Sequence, residues 1–256
     1  MPTAISQLSL FAIPGIPLVH RGDDLVALLL DALNAAGLSL ADGDVVVVAQ
    51  KLVSKAEGRT VSLKDVQPSD KAKKLAADTD KEPAIVQLIL DESRKILRHR
   101  PGVLIAEHQL GFVLANAGID RSNVSNDEDE VLLLPVAPDQ SAAAIRTGLA
   151  DKLGLRLGVI IADSVGRAWR MGTTGMTLGS AGVEALANLR GQQDMFGRVL
   201  EISEHAVADS IAAAAELLMG EADEATPVVV VRGLDQGHSE QDSKVLLRAE
   251  QEDMFR

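Results

Sequence analysis

Four consecutive valines at positions 45–48 constrain the fold of this chain of 256 residues more than any other feature. A turn formed by Asp42, Gly43 and Asp44 leads directly into them. An unbroken run of β-branched side chains is typical of a strand that is covered on both faces of its sheet. The sequence therefore predicts a buried strand at 45–48.

Strands and helices are predicted to alternate along most of the chain. Apolar runs predict further strands at 103–106, 112–115, 131–134, 157–161 and 227–231. Apolar residues at helical spacing predict helices at 25–36, 69–77, 83–96, 141–153 and 205–219. This interleaving indicates an α/β protein, and strands this short can also assemble into mixed sheets of the α+β kind.

The composition excludes several classes of protein. With 46% hydrophobic and 24% charged residues the chain is globular, and the absence of cysteine excludes disulfides, thiolate zinc sites and a cysteine nucleophile. The formal net charge of −12 opposes binding to nucleic acid or to an anionic membrane, so a phosphate ligand would need divalent cations. No apolar run approaches the roughly 18 residues of a membrane helix, and the N-terminus lacks the pattern of a signal peptide. We therefore expect a cytoplasmic protein.

Four polar stretches follow predicted elements, and open α/β sheets commonly bind ligands at the ends of their strands. The first stretch spans 50–59, where Lys51 and Lys55 lie four residues apart beside Ser54 and Arg59. Ammonium and hydroxyl donors at this spacing can bind a phosphate chain. The glycine spacing of a Walker A loop is missing, and a solvated basic turn is an equal alternative.

The second stretch, 115–123, offers oxygen and amide groups on a backbone of small residues. Asp120 supplies a carboxylate that suits a hard metal ion, and Asn123 can both donate and accept hydrogen bonds. Turn formation alone would also explain an aspartate and an asparagine here.

The third stretch, 160–172, begins in an apolar strand and turns polar at Asp163 and Ser164. A carboxylate beside a hydroxyl is a good pair of ligands for a divalent cation, and the nearby arginines can hold anionic groups. Trp169, which lies between arginines, is either part of this site or a packing anchor.

The fourth stretch, 219–224, is an acidic loop after a predicted helix that Gly220 closes. If the fold brings Glu221 near Asp120 and Asp163, three carboxylates can share two Mg²⁺ or Mn²⁺ ions, an arrangement suited to phosphoryl transfer.

The five histidines are scattered, and no nucleophile elbow or dinucleotide fingerprint is present. Hydrolase and dehydrogenase functions are therefore weakly supported.

These stretches, in this order, closely resemble the coenzyme F420-0:γ-glutamyl ligase family, which also forms the N-terminal half of two-domain F420 ligases. The most specific motifs are Ser-Lys-Ala-Glu-Gly-Arg at 54–59 and Asn-Ala-Gly-Ile-Asp at 116–120, with Ser-Asn at 122–123. The resemblance covers the whole chain as one domain, 1–256. It implies the mixed α/β fold of that family and an intertwined homodimer.

The resemblance implies a GTP-dependent ligase that adds L-glutamate to coenzyme F420-0 and then a γ-linked glutamate to F420-1, through an acyl phosphate. It implies Mg²⁺ or Mn²⁺, as two ions, with K⁺ as a further cation. The implied metal positions are Asp120, Asp163, Ser164 and Glu221. The implied GTP contacts are Ile16, Pro17, Leu18, Val19, Gln50, Lys51, Lys55, Asn123, Met219, Gly220, Ala222 and Asp223.

The sequence departs from the family pattern in three places, of which the loop at 171–179 leaves open which F420 precursor is accepted and how many glutamates are added. Ser164 stands where threonine is usual and keeps the hydroxyl, Ala168 replaces a frequent proline, and 171–179 differs from the usual glycine-rich stretch. A related ligase for another carboxylate acceptor and a non-catalytic module that binds GTP or F420 are the alternatives. The sequence leaves open whether this is a single-domain ligase or the N-terminal part of a longer one.

Overall fold

The computed structural model describes residues 6–234 and 239–254. The described part contains twelve strands and six α-helices. The strands are β1 (Ser9–Ala12), β2 (Val45–Ala49), β3 (Thr60–Ser62), β4 (Ser93–Arg100), β5 (Val103–His108), β6 (Val113–Ala115), β7 (Glu130–Leu132), β8 (Gly158–Arg167), β9 (Arg170–Ala181), β10 (Leu186–Asn188), β11 (Glu204–Ala206) and β12 (Val228–Arg232). The helices are α1 (Leu25–Ala35), α2 (Gln50–Ala56), α3 (Asp70–Thr79), α4 (Pro83–Asp91), α5 (Pro138–Leu153) and α6 (Val207–Met219).

A five-stranded sheet in the order β1-β12-β2-β8-β9 forms the centre of the fold. Strands β2 and β8 run parallel, and the other neighbours are antiparallel. The four valines of β2 are at most 2% exposed. Val46 and Val48 pack in the core with α1 and α5, whereas Val45 and Val47 pack in the core with α6. The prediction of a strand buried on both faces is confirmed.

Three smaller sheets complete the mixed α/β architecture that the sequence predicts. One contains β4, β5 and β6, and the other two pair β3 with β7 and β10 with β11. Helices α3 and α4 pack against each other and against β4. No helix in the described part of the chain is both long enough and apolar enough to cross a bilayer.

Two long strands differ from the sequence predictions. The helix predicted at 83–96 ends at Asp91, because residues 93–100 form β4, which pairs with β5 across a tight turn. Strand β9 was not predicted, because its glycines and threonines carry no apolar alternation near the hairpin turn. The stretch at 50–56 forms the helix α2 and not a basic turn.

Close backbone crossings set the position of β9. A Cβ atom at Gly175 would lie 2.4 Å from the Ala212 carbonyl oxygen of α6, and one at Gly179 would lie 2.3 Å from the backbone of Pro138. Both glycines are therefore required by contact between main chains. The two crossings hold β9 directly against α6 and the start of α5.

Candidate functional site

A cleft of about 420 Å³ opens where the parallel pairing of β2 with β8 ends, at Ala49 and Ala162. Its walls come from segments that are distant in the chain. They are 16–19, 49–52 with Lys55, Asn123, 162–164, Gly175, Ala212 with Glu216, and 219–227. The end of parallel strands is the expected place for a ligand in such a sheet.

One wall of the cleft is apolar. It is built from residues 16–19, which follow the buried Ile13, together with Leu52 of α2 and Met219 at the end of α6. Leu18 is 80% exposed, so this wall presents apolar surface that a ligand can cover. The shape suits a planar or apolar part of a ligand.

Helix α2 also carries two lysines to the cleft. Lys51 and Lys55 are one helical turn apart, so both project to the same side. The Lys51 ammonium donates to the Ser122 hydroxyl at 3.0 Å, and the Lys55 ammonium donates to the Asn123 carbonyl at 2.8 Å. Burial and the charge of Lys51 lower the pKa of Lys55. An anionic ligand would relieve the repulsion between these two charges.

Asp120 lies behind Lys51. Its Oδ2 atom is 2.6 Å from the Lys51 ammonium, and its Oδ1 atom accepts from the Ser122 amide at 2.7 Å. Burial opposes ionisation of this carboxyl, but the hydrogen bonds from Lys51 and Ser122 outweigh it and lower the pKa of Asp120. The carboxylate is therefore ionised and paired.

Asp163 and Glu221 bring two more carboxylates to the same end of the cleft. Burial raises the pKa of Asp163 to about 7, and although Lys51 opposes the rise, the charges of Asp120 and Glu221 add to it. Glu221 accepts from the Ser164 hydroxyl at 3.0 Å and from the Thr173 hydroxyl at 2.7 Å. Both strands of the β8–β9 hairpin therefore hold Glu221.

The donor set fits a hard divalent cation. Asp120, Asp163 and Glu221 supply carboxylates and Ser164 supplies a hydroxyl, and a cation would offset the repulsion that acts on Asp163. Within residues 6–234 and 239–254, however, no three His, Asp or Glu side chains are grouped so as to hold one metal ion.

The twelve positions that the resemblance implies for GTP all line this cleft. So do Asp163, Ser164 and Glu221 of the four implied metal positions, while Asp120 contacts the cleft through Lys51. The fold therefore brings the expected residues together, and their roles stay predictions.

Two residues of the first polar stretch do not reach the cleft. Ser54 is fully buried and donates to the Gln50 side chain at 2.8 Å, so it is not a donor to a phosphate. Arg59 points the other way and pairs with Glu92 at 2.6 Å. The interpretation of both residues as phosphate donors is wrong, because Ser54 lies on the buried side of α2 and Arg59 follows the helix and pairs away from the cleft.

Sequence reasoning missed Glu216, which lines the cleft from α6. Its Oε1 atom is buried and has no hydrogen-bond partner in the described part of the chain. Burial and the neighbouring Glu221 raise the pKa of Glu216 to about 7. The available signal was its spacing: Glu216 follows the buried Ala208 and Ala212 at four-residue intervals and so lies on the inner face of the helix.

The tip of the β8–β9 hairpin extends the site outwards. Trp169 is 81% exposed and has a φ of 57°, a conformation that favours glycine. Arg167 and Arg170 flank it as paired hairpin residues, and both are exposed.

The fold and the cleft together describe a mixed α/β protein whose ligand site combines an apolar wall with lysines and carboxylates. The family model of F420-0:gamma-glutamyl ligase matches residues 15–233. The chain therefore belongs to the F420-0:gamma-glutamyl ligase family.

Relatives match over nearly their full length. The coenzyme F420:L-glutamate ligase of Methanothermobacter thermautotrophicus is 45% identical over 251 residues, which cover 97% of this chain and 99% of the relative. The coenzyme F420:L-glutamate ligase of Archaeoglobus fulgidus is 41% identical over 250 residues, with 98% and 97% covered. That of Haloarcula marismortui is 41% identical over 255 residues, with 97% and 96% covered.

Proposed function

We propose that this protein is a GTP-dependent ligase that joins L-glutamate to coenzyme F420-0 and then adds a γ-linked glutamate to F420-1. The observation that carries the proposal is one cleft whose lining combines an apolar segment, two lysines and the carboxylates of Asp163, Glu216 and Glu221. Family membership and the names of the full-length relatives supply the acceptor and the amino acid. A cytoplasmic location is part of the proposal.

The nucleotide lies along the cleft in this proposal. Its base packs against residues 16–19, and its phosphates reach Lys51 and Lys55, whose charges attract them. Asn123 and the 219–223 segment close the cleft from the other side, where the Asn123 amide donates to the Ala222 carbonyl at 2.9 Å. This hydrogen bond holds two distant loops together around the ligand.

The reaction proceeds in two steps. An oxygen of the acceptor carboxylate attacks the γ-phosphorus of GTP, the bond to the β–γ bridging oxygen breaks, and GDP leaves. The amine of glutamate then attacks the acyl carbon, inorganic phosphate leaves, and the amine loses a proton as the amide forms. Lysine charges and fixed orientation of both anionic substrates favour each step.

Asp120, Asp163, Ser164 and Glu221 would hold two Mg²⁺ or Mn²⁺ ions, with K⁺ as a further cation. When bound, such cations neutralise the triphosphate and the charge that develops during transfer. The chain itself contributes the fixed placement of these ligands, since Ser164 and Thr173 orient Glu221.

The acceptor binds at the tip of the β8–β9 hairpin in this proposal. Trp169 offers an exposed aromatic face to a planar deazaflavin, and Arg167 and Arg170 offer guanidinium groups to its phosphodiester and carboxylate. The tip continues directly from Ser164 and Thr173, so an acceptor held there reaches the carboxylate cluster.

The protein is a homodimer in this proposal, as the resemblance implies. The segment between β10 and β11 exposes Met195 (95%), Phe196 (85%) and Ile202 (84%). Apolar side chains concentrated in one surface segment are typical of an interface between subunits.

Mass spectrometry of the product tests the activity. F420-0 is incubated with the protein, GTP, L-glutamate and Mn²⁺ or Mg²⁺, and each component is omitted in turn. We expect mass increments of one and then two glutamyl units that require GTP. GTP turnover only with another carboxylate acceptor would favour the related-ligase alternative, and GTP binding without turnover would favour the non-catalytic module.

A further inference from the structure

Gln50 has an unused pair of hydrogen-bond donors at the cleft. It is the first residue of α2, it is 1% exposed, and it lines the cleft. Within the described residues its Nε2 atom is buried and has no hydrogen-bond partner. Buried amide groups in folded proteins almost always have a partner, so the missing acceptor is expected to come from a ligand.

Ser54 fixes the orientation of this amide. It lies one helical turn after Gln50, it is fully buried, and its hydroxyl donates to Gln50 Oε1 at 2.8 Å. Because the oxygen of the carboxamide is occupied by Ser54, the nitrogen is left to face the cleft. Ser54 itself does not line the cleft.

The surroundings favour this orientation over its reverse. Strands β2 and β8 are in parallel register, with Ala49 opposite Ala162, so Gln50 follows β2 at the level where Asp163 follows Ala162. A reversed amide would present its oxygen, an acceptor, to any anionic ligand held by Lys51 and Lys55. Donors at this place complement the oxygens of such a ligand.

We propose that Ser54 is a positioning residue that aims the Gln50 amide at an acceptor oxygen of the bound nucleotide. This inference rests on the proposed nucleotide site and adds a residue to it. The acceptor belongs either to the phosphate chain or to the nucleoside, and the two sources are separated by the choice of ligand below.

A double-mutant cycle on nucleotide affinity tests the inference. Dissociation constants of GTP, GDP and guanosine are measured by calorimetry at fixed Mg²⁺ for the wild type, S54A, Q50A and the double variant. We expect each single variant to weaken GTP binding by about 3- to 10-fold, the range of one hydrogen bond. In the Q50A background, S54A has no further effect, since Ser54 acts through Gln50.

Two further variants separate positioning from general damage. Q50E keeps the oxygen that accepts from Ser54 but replaces the donors with a carboxylate oxygen, and we expect it to weaken GTP binding more than Q50A does. T79V removes a buried hydroxyl that donates to the Leu75 carbonyl of α3, away from the cleft, and leaves GTP affinity unchanged. Should S54A fail to fold, comparison of Q50A with Q50E still tests whether the Gln50 amide donates a hydrogen bond to the nucleotide.

Each outcome bears on a separate claim. Equal losses for GTP and guanosine place the acceptor on the nucleoside, and a loss for GTP alone places it on the phosphates. Unchanged GTP affinity in S54A, additive losses in the double variant, or tight binding by Q50E would overturn the inference while the nucleotide site stands. A wild-type protein that binds no GTP would overturn the proposed function, and this inference with it.

Discussion

The guanidinium of Arg59 lies 2.6 Å from the carboxylate of Glu92 and so joins the residue before β3 to the end of α4. The same carboxylate lies 3.3 Å from Nε2 of His108, which is nearly fully buried. Arg59 also donates to the Leu134 carbonyl at 2.9 Å. These contacts hold the segment after α2 against the sheet formed by β4, β5 and β6.

Glu92→Gln is expected to destabilise the fold in a pH-dependent way. Burial opposes ionisation of Glu92, but the adjacent His108 ring and the charge and hydrogen bond of Arg59 outweigh it and lower the pKa of Glu92. The ionised carboxylate therefore stabilises the fold above the unfolded-state pKa of about 4.3, and this contribution is lost as the pH falls through the lower folded value. We expect a loss of about 1–3 kcal/mol in the free energy of unfolding at pH 7.

Urea denaturation at pH 7 and near pH 3 measures this difference. The gap between wild type and Glu92→Gln should shrink at the lower pH. Glu128→Gln, on an exposed loop, is the control and should change the free energy of unfolding by less than about 0.5 kcal/mol. A gap that is equal at both pH values would contradict the role of the ionised carboxylate.

Asp163→Asn is expected to abolish ligase turnover and to leave the fold intact. The substitution keeps the volume of a half-buried side chain but removes one of the proposed cation ligands. Thermal unfolding with and without Mn²⁺ provides a second readout: the cation should raise the Tm of the wild type and not that of the variant. Asp151→Asn on the exposed side of α5 should behave as the wild type.

Lys55→Met is expected to weaken GTP binding by roughly tenfold or more, because it removes a charged donor to the phosphates. Guanosine affinity should hardly change, since the nucleoside carries no phosphate. Lys74→Met on the exposed face of α3 is the matched control. If guanosine and GTP lost affinity equally, Lys55 would not contact the phosphates.

Arg170→Ala is expected to raise the KM for F420-0 by about tenfold and to leave the KM for GTP unchanged, because the hairpin tip lies outside the cleft. Steady-state kinetics with each substrate varied in turn makes the comparison. Arg100→Ala, at the exposed end of β4, should alter neither value. A rise confined to GTP would place the arginine on the nucleotide instead.

Phe196→Asp is expected to convert the proposed dimer to a monomer, because it puts a charge into the proposed apolar interface. Sedimentation velocity at several concentrations measures the change. Met254→Asp is the control. Met254 is also apolar and is 90% exposed, but it lies outside the segment between β10 and β11, so this variant should leave the dimer intact. A wild-type protein that sediments as a monomer would contradict the proposed assembly.

Local patterns predicted the parts of the fold that local forces determine. The valines of β2 predict a buried strand, and Asp24 caps α1 at the residue before the helical apolar spacing begins. Strand β4 was missed because its residues owe their extended form to pairing with β5, which is a tertiary contact. Pairing of this kind overrides the weak helical preference of 93–96.

The site was predictable as a set of segments but not as an arrangement. Polar stretches at the ends of predicted elements pointed to Lys51, Lys55, Asp120, Asn123, Asp163, Ser164 and Glu221. The resemblance supplied the remaining nucleotide contacts. No local pattern shows that Lys51 pairs with Asp120, or that both hairpin strands bond Glu221. Ser54 was misjudged because its hydroxyl turns inward to Gln50, a choice that only the packing of α2 determines.

Gly175 is a position beside the cleft at which no side chain fits. Its missing Cβ lets β9 touch the main chain of Ala212, one helical turn before Glu216. A methyl group at 175 would force α6 outward and carry Glu216 and the loop of Glu221 away from Asp163. The absence of a side chain at Gly175 thus sets the width of the cleft. Even a methyl group there would alter the site through the displacement of α6.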